Sequence, residues 1–256
     1  MSNTTICKGM GRLGKLVLTL TALLTMGGGT VIAAESPEET GAALSKRQKS
    51  LISIAVLTAA GRGERLTLAL HNALDAGLTV NEVNETIVHV YAYAGFPRSF
   101  NGMMAFMAVM DERKSKGIED EQGRDATPVP ANLDRDTYGA KVRAQLSGLE
   151  EIPPPARWQE FSPVIDTFLK EHLFADLFAR DLLSFQEREL ATIAVLATLR
   201  GVEGPLRYHL GAALNTGATT QQLQEFVTVI KKEIGEQEAE TAQTLLADVL
   251  AARTPK

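Results

Sequence analysis

The sequence has 256 residues, 45% of them hydrophobic and 22% charged, with a formal net charge of −5. That is enough apolar material for a sizeable core in one or two compact units, and the acidic balance offers no basic surface to nucleic acid phosphates. The single cysteine, Cys7, excludes an internal disulfide and any multi-cysteine metal site.

Residues 1–34 read as a secretory signal peptide. Lys8, Arg12 and Lys15 form a positive start, residues 16–24 an apolar run, and Val31, Ile32, Ala33 and Ala34 a small-residue cleavage region. The apolar run is short for a bilayer span, so no stable membrane anchor is expected after cleavage. Cleavage removes three positive charges and no negative one, taking the formal charge from −5 to −8, and it removes Cys7. A soluble periplasmic or secreted protein is the expectation. The glycine-rich "GMGRLG" from Gly9 falls inside this leader and is set aside.

Next comes a repeat. "LSKRQKSLISIAVL" from Leu44 is followed 139 residues later by "LSFQERELATIAVL" from Leu183, and Leu74, Gly77, Thr79 and Glu85 recur 140 residues on as Leu214, Gly217, Thr219 and Glu225. One extra residue near the turn of the second copy accounts for the changed shift. Each copy reads as helices. Ser45 with Gln48, Thr79 with Glu82, Ser184 with Glu187 and Thr219 with Gln222 have capping-box spacing. Gly77 and Gly217 sit where a helix ends in a left-handed cap, and apolar residues recur three and four apart, as at Val83, Ile87 and Val90. The expected organisation is a leader over 1–34, a first unit over 35–111, a linker over 112–159 holding a short helix near 137–149, and a second unit over 160–256. A further amphipathic helix is expected over 163–180.

"LS…REL.TIAVL", the spacing of His209 to Thr219, and "YAYAGFPRS" from Tyr91 together resemble the carboxymuconolactone decarboxylase family, whose all-α fold is shared with alkylhydroperoxidase D. The resemblance implies two tandem alkylhydroperoxidase D-like helical units. Single-copy relatives form trimers and hexamers, so it also implies a homo-oligomer, a trimer of two-unit chains. In the hydroperoxidase branch a C-x-x-C pair lies between a glutamate and a histidine. Here Glu189 and His209 match those two, while Val202 and Pro205 hold the cysteine places. Without a thiolate or a disulfide, thiol peroxidase chemistry is excluded.

What the resemblance leaves is an acid–base set: His209 as proton donor and Glu189 as its orienting partner, with Arg188, Arg207 and Tyr208 beside them to bind substrate. An arginine suits a carboxylate and a histidine suits proton transfer near neutral pH. In the first copy Ala69 stands in the place of His209 and Ser50 in that of Glu189, and His71 lies two positions along. That copy alone keeps Tyr91, Tyr93 and Arg98, since its counterpart reads "KKEIGEQEA". A composite pocket drawing on both copies is therefore expected. The structural alternatives are that His209 packs at a helix start, that Glu189 pairs with a neighbouring arginine, and that the tyrosines only pack.

His89 reads as packed or interfacial, and His172 as solvated. Met103, Met104, Met107 and Met110 follow helical spacing and read as core or subunit interface. Four histidines without H-x-x-x-H spacing give no metal site, and no cofactor is expected. The functional expectation is an exported decarboxylase-like enzyme performing cofactor-independent acid–base chemistry on a small carboxylated lactone or related carbon acid. The alternative is a non-catalytic binding or scaffold protein that kept the fold.

Overall fold

The structure, a computed structural model, describes residues 43–253, and the leader expected over 1–34 lies outside the described residues. The described chain is helical, with no strand. The first copy contains α1 (Lys46–Ala60), α2 (Gly63–Asp75) and α3 (Val80–Ser115). The second contains α7 (Phe185–Leu196), α8 (Glu203–Asn215), α9 (Thr220–Glu233) and α10 (Glu236–Arg253). Between them lie α4 (Arg135–Leu146), α5 (Arg157–Phe161) and α6 (Pro163–Thr167), which runs into a π-helical segment, Phe168–Leu177.

All four anticipated capping boxes form. Gln48 N–H donates to Ser45 Oγ at 3.1 Å and Ser45 N–H to Gln48 Oε1 at 3.0 Å, and the same reciprocal pair opens α3, α7 and α9. Each box satisfies two donors that a helix start would otherwise leave without partners. Gly95 bends α3 with φ 78° and ψ 164°, a conformation open essentially to glycine alone. Its repeat counterpart, Gly235 at φ 152°, separates α9 from α10. The long helix α3 is thus the first copy's version of α9 plus α10, with Pro97 tolerated because it follows the break.

The two copies share one core. Leu51, Ile54, Leu190 and Ile193 are fully buried, and α1 packs on α7. The third helix of each copy crosses over: α3 packs on α7 and α9 on α1. Met103 and Met110 pack against this core, whereas Met104 and Met107 are exposed beside Phe96 and Phe100. The segment read as a linker has its own small core, in which Val142 and Leu146 of α4 meet Leu173, Phe174 and Leu177. Gly139 permits that approach, because a Cβ there would lie 1.9 Å from the Lys170 carbonyl oxygen. The helix expected over 163–180 is present but is π-wound from Phe168.

Two equivalent ion pairs tie the copies together. Arg188 of α7 donates to Glu85 of α3 at 2.7 Å, with side chains 0% and 1% exposed. Arg180 adds a two-pronged contact to the same carboxylate at 2.8–3.0 Å. The repeat counterpart joins Lys49 of α1 to Glu225 of α9 at 3.0 Å, with 48% and 28% exposure. Removing one partner of a buried pair strands a desolvated charge, costing about 3–5 kcal/mol, while an exposed pair is worth about 0–1 kcal/mol. Glu85→Gln should therefore lower unfolding free energy in urea by about 3–5 kcal/mol and Glu225→Gln by under about 1 kcal/mol. Equal losses would mean that burial does not set the strength of this link.

Candidate active site

Three helices bring the site residues together. On α3, Glu85, His89 and Tyr93 follow one another at helical spacing along one face. On α7, Arg188 turns toward Glu85 and its neighbour Glu189 turns toward α8, where Tyr208 and His209 sit. Glu189 is fully buried and its Oε2 lies 2.7 Å from His209 Nδ1. The contact occupies Nδ1 and leaves Nε2 as the ring nitrogen with no hydrogen bond to the described residues.

The imidazole is fixed from both sides. The Tyr93 ring meets it edge to face at 5.5 Å between centroids and the Tyr208 ring at 5.0 Å. The Tyr208 hydroxyl lies 3.0 Å from Ser147 Oγ, tying α8 to the residue that follows α4. Glu189 Oε1, buried beside the imidazole, has no hydrogen-bond partner among the described residues, and the buried Tyr93 hydroxyl has only the Thr192 hydroxyl near it, itself 2.9 Å from His89 Nε2. Burial, and then the Glu189 charge, push the Tyr93 hydroxyl well above its ordinary pKa, so it stays protonated and remains a donor.

Tyr93, Tyr208 and His209 line a cavity of about 540 Å³. Gly204 and Pro205, in the first turn of α8, form one side of it. Leu169, Leu173 and Phe174 form an apolar wall, and Arg143, Ser147 and Trp158 close it from the segment between the copies. One residue from the first copy and two from the second thus meet in a single site.

The other expected binding residues lie elsewhere. Arg207 is half exposed and pairs with Asp248 at 2.8 Å. Arg98 is exposed and its guanidinium lies over Gly61. Tyr91 stacks on Phe96 at 4.7 Å and hydrogen-bonds His172, which is exposed. Arg188 is adjacent in sequence but faces Glu85 and His89, so it supports the site from behind without lining the cavity. Charge alone could not sort these arginines, because their directions depend on how α3, α7 and α10 pack. Sequence reasoning missed Arg143, Ser147 and Trp158. The one available signal was the chain's single tryptophan, placed just after a run of three prolines.

The counterpart site in the first copy has lost the histidine–glutamate pair. Ser50 and Ala69 replace the glutamate and histidine, and Glu233 of α9 stands where Tyr93 does on α3. Arg65, at the place of Pro205, donates to Glu233 Oε2 and to the Glu233 carbonyl, both at 2.6 Å. A cavity of about 220 Å³ remains beside it. Val202 is the residue before α8 and packs partly buried against the core, while Pro205 faces the larger cavity.

A duplicated all-helical chain with one histidine–glutamate pair at a cavity is the class that fold and site define. A sequence model described as the carboxymuconolactone decarboxylase family matches residues 19–108 and 163–254, more than half of the chain, which belongs to that family. The chain is also similar to 4-carboxymuconolactone decarboxylase of Acinetobacter baylyi (strain ATCC 33305 / BD413 / ADP1). The identity is 41% over 56 residues, covering 22% of this chain and 42% of that protein. The chain therefore matches less than half the length of that relative. Arg143, Ser147 and Trp158 fall between the two family matches.

His89 gives this site a pH signature. It is fully buried; Arg188 Nη1 lies 3.3 Å from its Nδ1, and its Nε2 lies 2.9 Å from Thr192 Oγ1. Burial, and then the Arg188 charge, hold its pKa well below the ordinary value of 6.5. Below about pH 6.5 the unfolded chain takes up a proton that the native chain refuses, so stability falls with falling pH, by at most about 1.4 kcal/mol per unit. Urea unfolding between pH 6.5 and 5 should show this slope in the wild type and a shallower one in His89→Gln. Parallel slopes would show that His89 protonates freely in the native fold.

Proposed function

We propose that this chain is a cofactor-independent carbon-acid enzyme of the decarboxylase type, acting on a small carboxylated lactone or related carbon acid. The observation that carries this reading is His209 at the cavity, with Nδ1 held by the buried Glu189 and Nε2 free. In the step proposed, the bond from the substrate carbon to its carboxylate breaks and carbon dioxide leaves. The electron pair moves into the adjoining enolate system. An Nε2–H proton from His209 then goes to carbon, and solvent restores it. The Tyr93 hydroxyl, kept protonated by burial, turns from Thr192 to donate to the oxygen on which charge develops. Glu189 orients the ring and faces the positive charge that the ring carries as a donor. The family membership and the decarboxylase relative support this reading.

A general acid contributes about 10²- to 10⁴-fold in rate. Among lactone acids screened for turnover, kcat for the responding substrate should fall by about that factor in His209→Ala. Glu189→Gln should reduce kcat as well, by loosening the ring, while His172→Ala on the exposed side should change little. Melting curves establish that each variant is folded. A folded His209→Ala variant with wild-type turnover would remove the catalytic reading and leave the binding-protein alternative.

We further propose that the protein is exported. Lys8, Arg12 and Lys15 ahead of the apolar run at 16–24, with the small residues at 31–34, support this. N-terminal sequencing of the protein recovered outside the cytoplasm should give Ala34 or Glu35 as the first residue. Recovery in the cytoplasm with Met1 or Ser2 first would sink the proposal.

A further inference from the structure

The cavity's charge is one-sided. Among the described residues lining it there is no aspartate or glutamate, and Arg143 is the single lysine or arginine. The first turn of α8 also faces it at Gly204 and Pro205, with no side chain capping that turn. A helix start carries partial positive charge. The remaining wall is apolar, from Leu169, Leu173 and Phe174. A site of this kind suits an anion attached to an apolar body.

Arg143 has donors to spare. Its Nη1 binds Asp166 at 2.6 Å, and no other hydrogen bond of its guanidinium is formed among the described residues. Asp166 also accepts from Lys170 at 3.1 Å and from Gln159 at 2.8 Å, and Lys170 pairs in turn with Asp136, so the network is neutral and what Arg143 offers a ligand is its unused N–H donors. The pairing fixes the guanidinium, which also sits 5.8 Å from the centre of the Trp158 ring. A guanidinium held by one nitrogen keeps a free edge for a carboxylate, in the two-pronged geometry that arginine favours.

We infer that Arg143 is the anion clamp of this site, and that the ligand is a singly charged carboxylate on a flat, apolar ring lying between Trp158 and the Leu169–Leu173–Phe174 wall. The inference rests on the proposed function for the reaction at His209 but not for the binding. It also assigns ligand choice to a segment, Arg143 to Trp158, that lies outside both family matches. A compact, multiply charged acid would find one cation and an apolar wall, and so would bind less well than a monoacid.

Trp158, the only tryptophan in the chain, reports on this directly. The full chain is titrated with cyclohex-1-ene-1-carboxylate, its primary amide and cyclohexane-1,2-dicarboxylate, following tryptophan emission and binding heat. A charged hydrogen-bonded contact is worth about 10- to 100-fold in affinity, so the carboxylate should bind by about that factor more tightly than the amide and also more tightly than the diacid. Arg143→Gln should erase the preference for acid over amide while leaving amide affinity within about twofold. Arg143→Lys, which keeps the charge and loses the fork, should fall between, and Arg207→Gln should match the wild type. Equal affinities for acid and amide, no binding of either, or a preference that survives Arg143→Gln would overturn the inference. If Arg143→Gln does not fold, the acid-to-amide ratio of the native chain and of Arg143→Lys decides. His209→Gln separates this from the catalytic reading: lost turnover with the acid preference intact upholds both. Retained turnover would refute the catalytic reading alone.

Discussion

The buried pair of Glu85 and Arg188 sets the geometry on which the rest of the structure depends. Both charges are wholly removed from water and come from different copies of the repeat, so neither copy can satisfy its own. Desolvating two ions is expensive, and good geometry with further hydrogen bonds has to offset it. Arg180, the Arg180 carbonyl and His89 supply those bonds. The result fixes the register of α3 against α7. Because Tyr93 lies two helical turns from Glu85, and Glu189 follows Arg188, the same contact also delivers a tyrosine and a carboxylate to one imidazole. Arg188 and Glu189 are neighbours on one helix with different partners.

The segment between the copies completes what the repeat alone does not. The two copies supply the imidazole, the carboxylate and the two tyrosines that flank the ring. They leave the cavity open on one side. The helix α4, the proline-rich stretch and the π-wound segment close that side with Arg143, Trp158 and the apolar wall. The cavity wall therefore draws on a different part of the chain from the histidine–glutamate pair it surrounds.

Much of the fold was legible because repetition and helix capping are local signals. The matched runs at Leu44 and Leu183, and four capping boxes with their start residues, follow from spacing alone. Glu189 and His209 could be singled out because they match the glutamate and histidine of the family the sequence resembles, in the copy that keeps them; the other copy has Ser50 and Ala69. The arginines were not legible in the same way. Arg98, Arg143, Arg188 and Arg207 are alike as sequence characters, and only packing decides which of them meets Glu85, Asp248, Gly61 or the cavity. The segment 112–159 has a linker's composition, charged and rich in proline, and its role depends on one close approach at Gly139 that no periodicity announces. The π winding from Phe168 likewise has no signal in an amphipathic pattern.

The counterpart site in the first copy, where Arg65 grips Glu233, shows what joining two copies in one chain permits. In a dimer of identical chains every substitution occurs twice, so a residue that improves one site and ruins the other cannot be kept without harm. A fused chain escapes that coupling. One half is free to keep a histidine while its twin turns the same place over to an internal brace, and each helix start can take on a separate task. Asymmetry of this kind is closed to identical subunits, and it leaves one histidine–glutamate pair where two identical subunits would carry two.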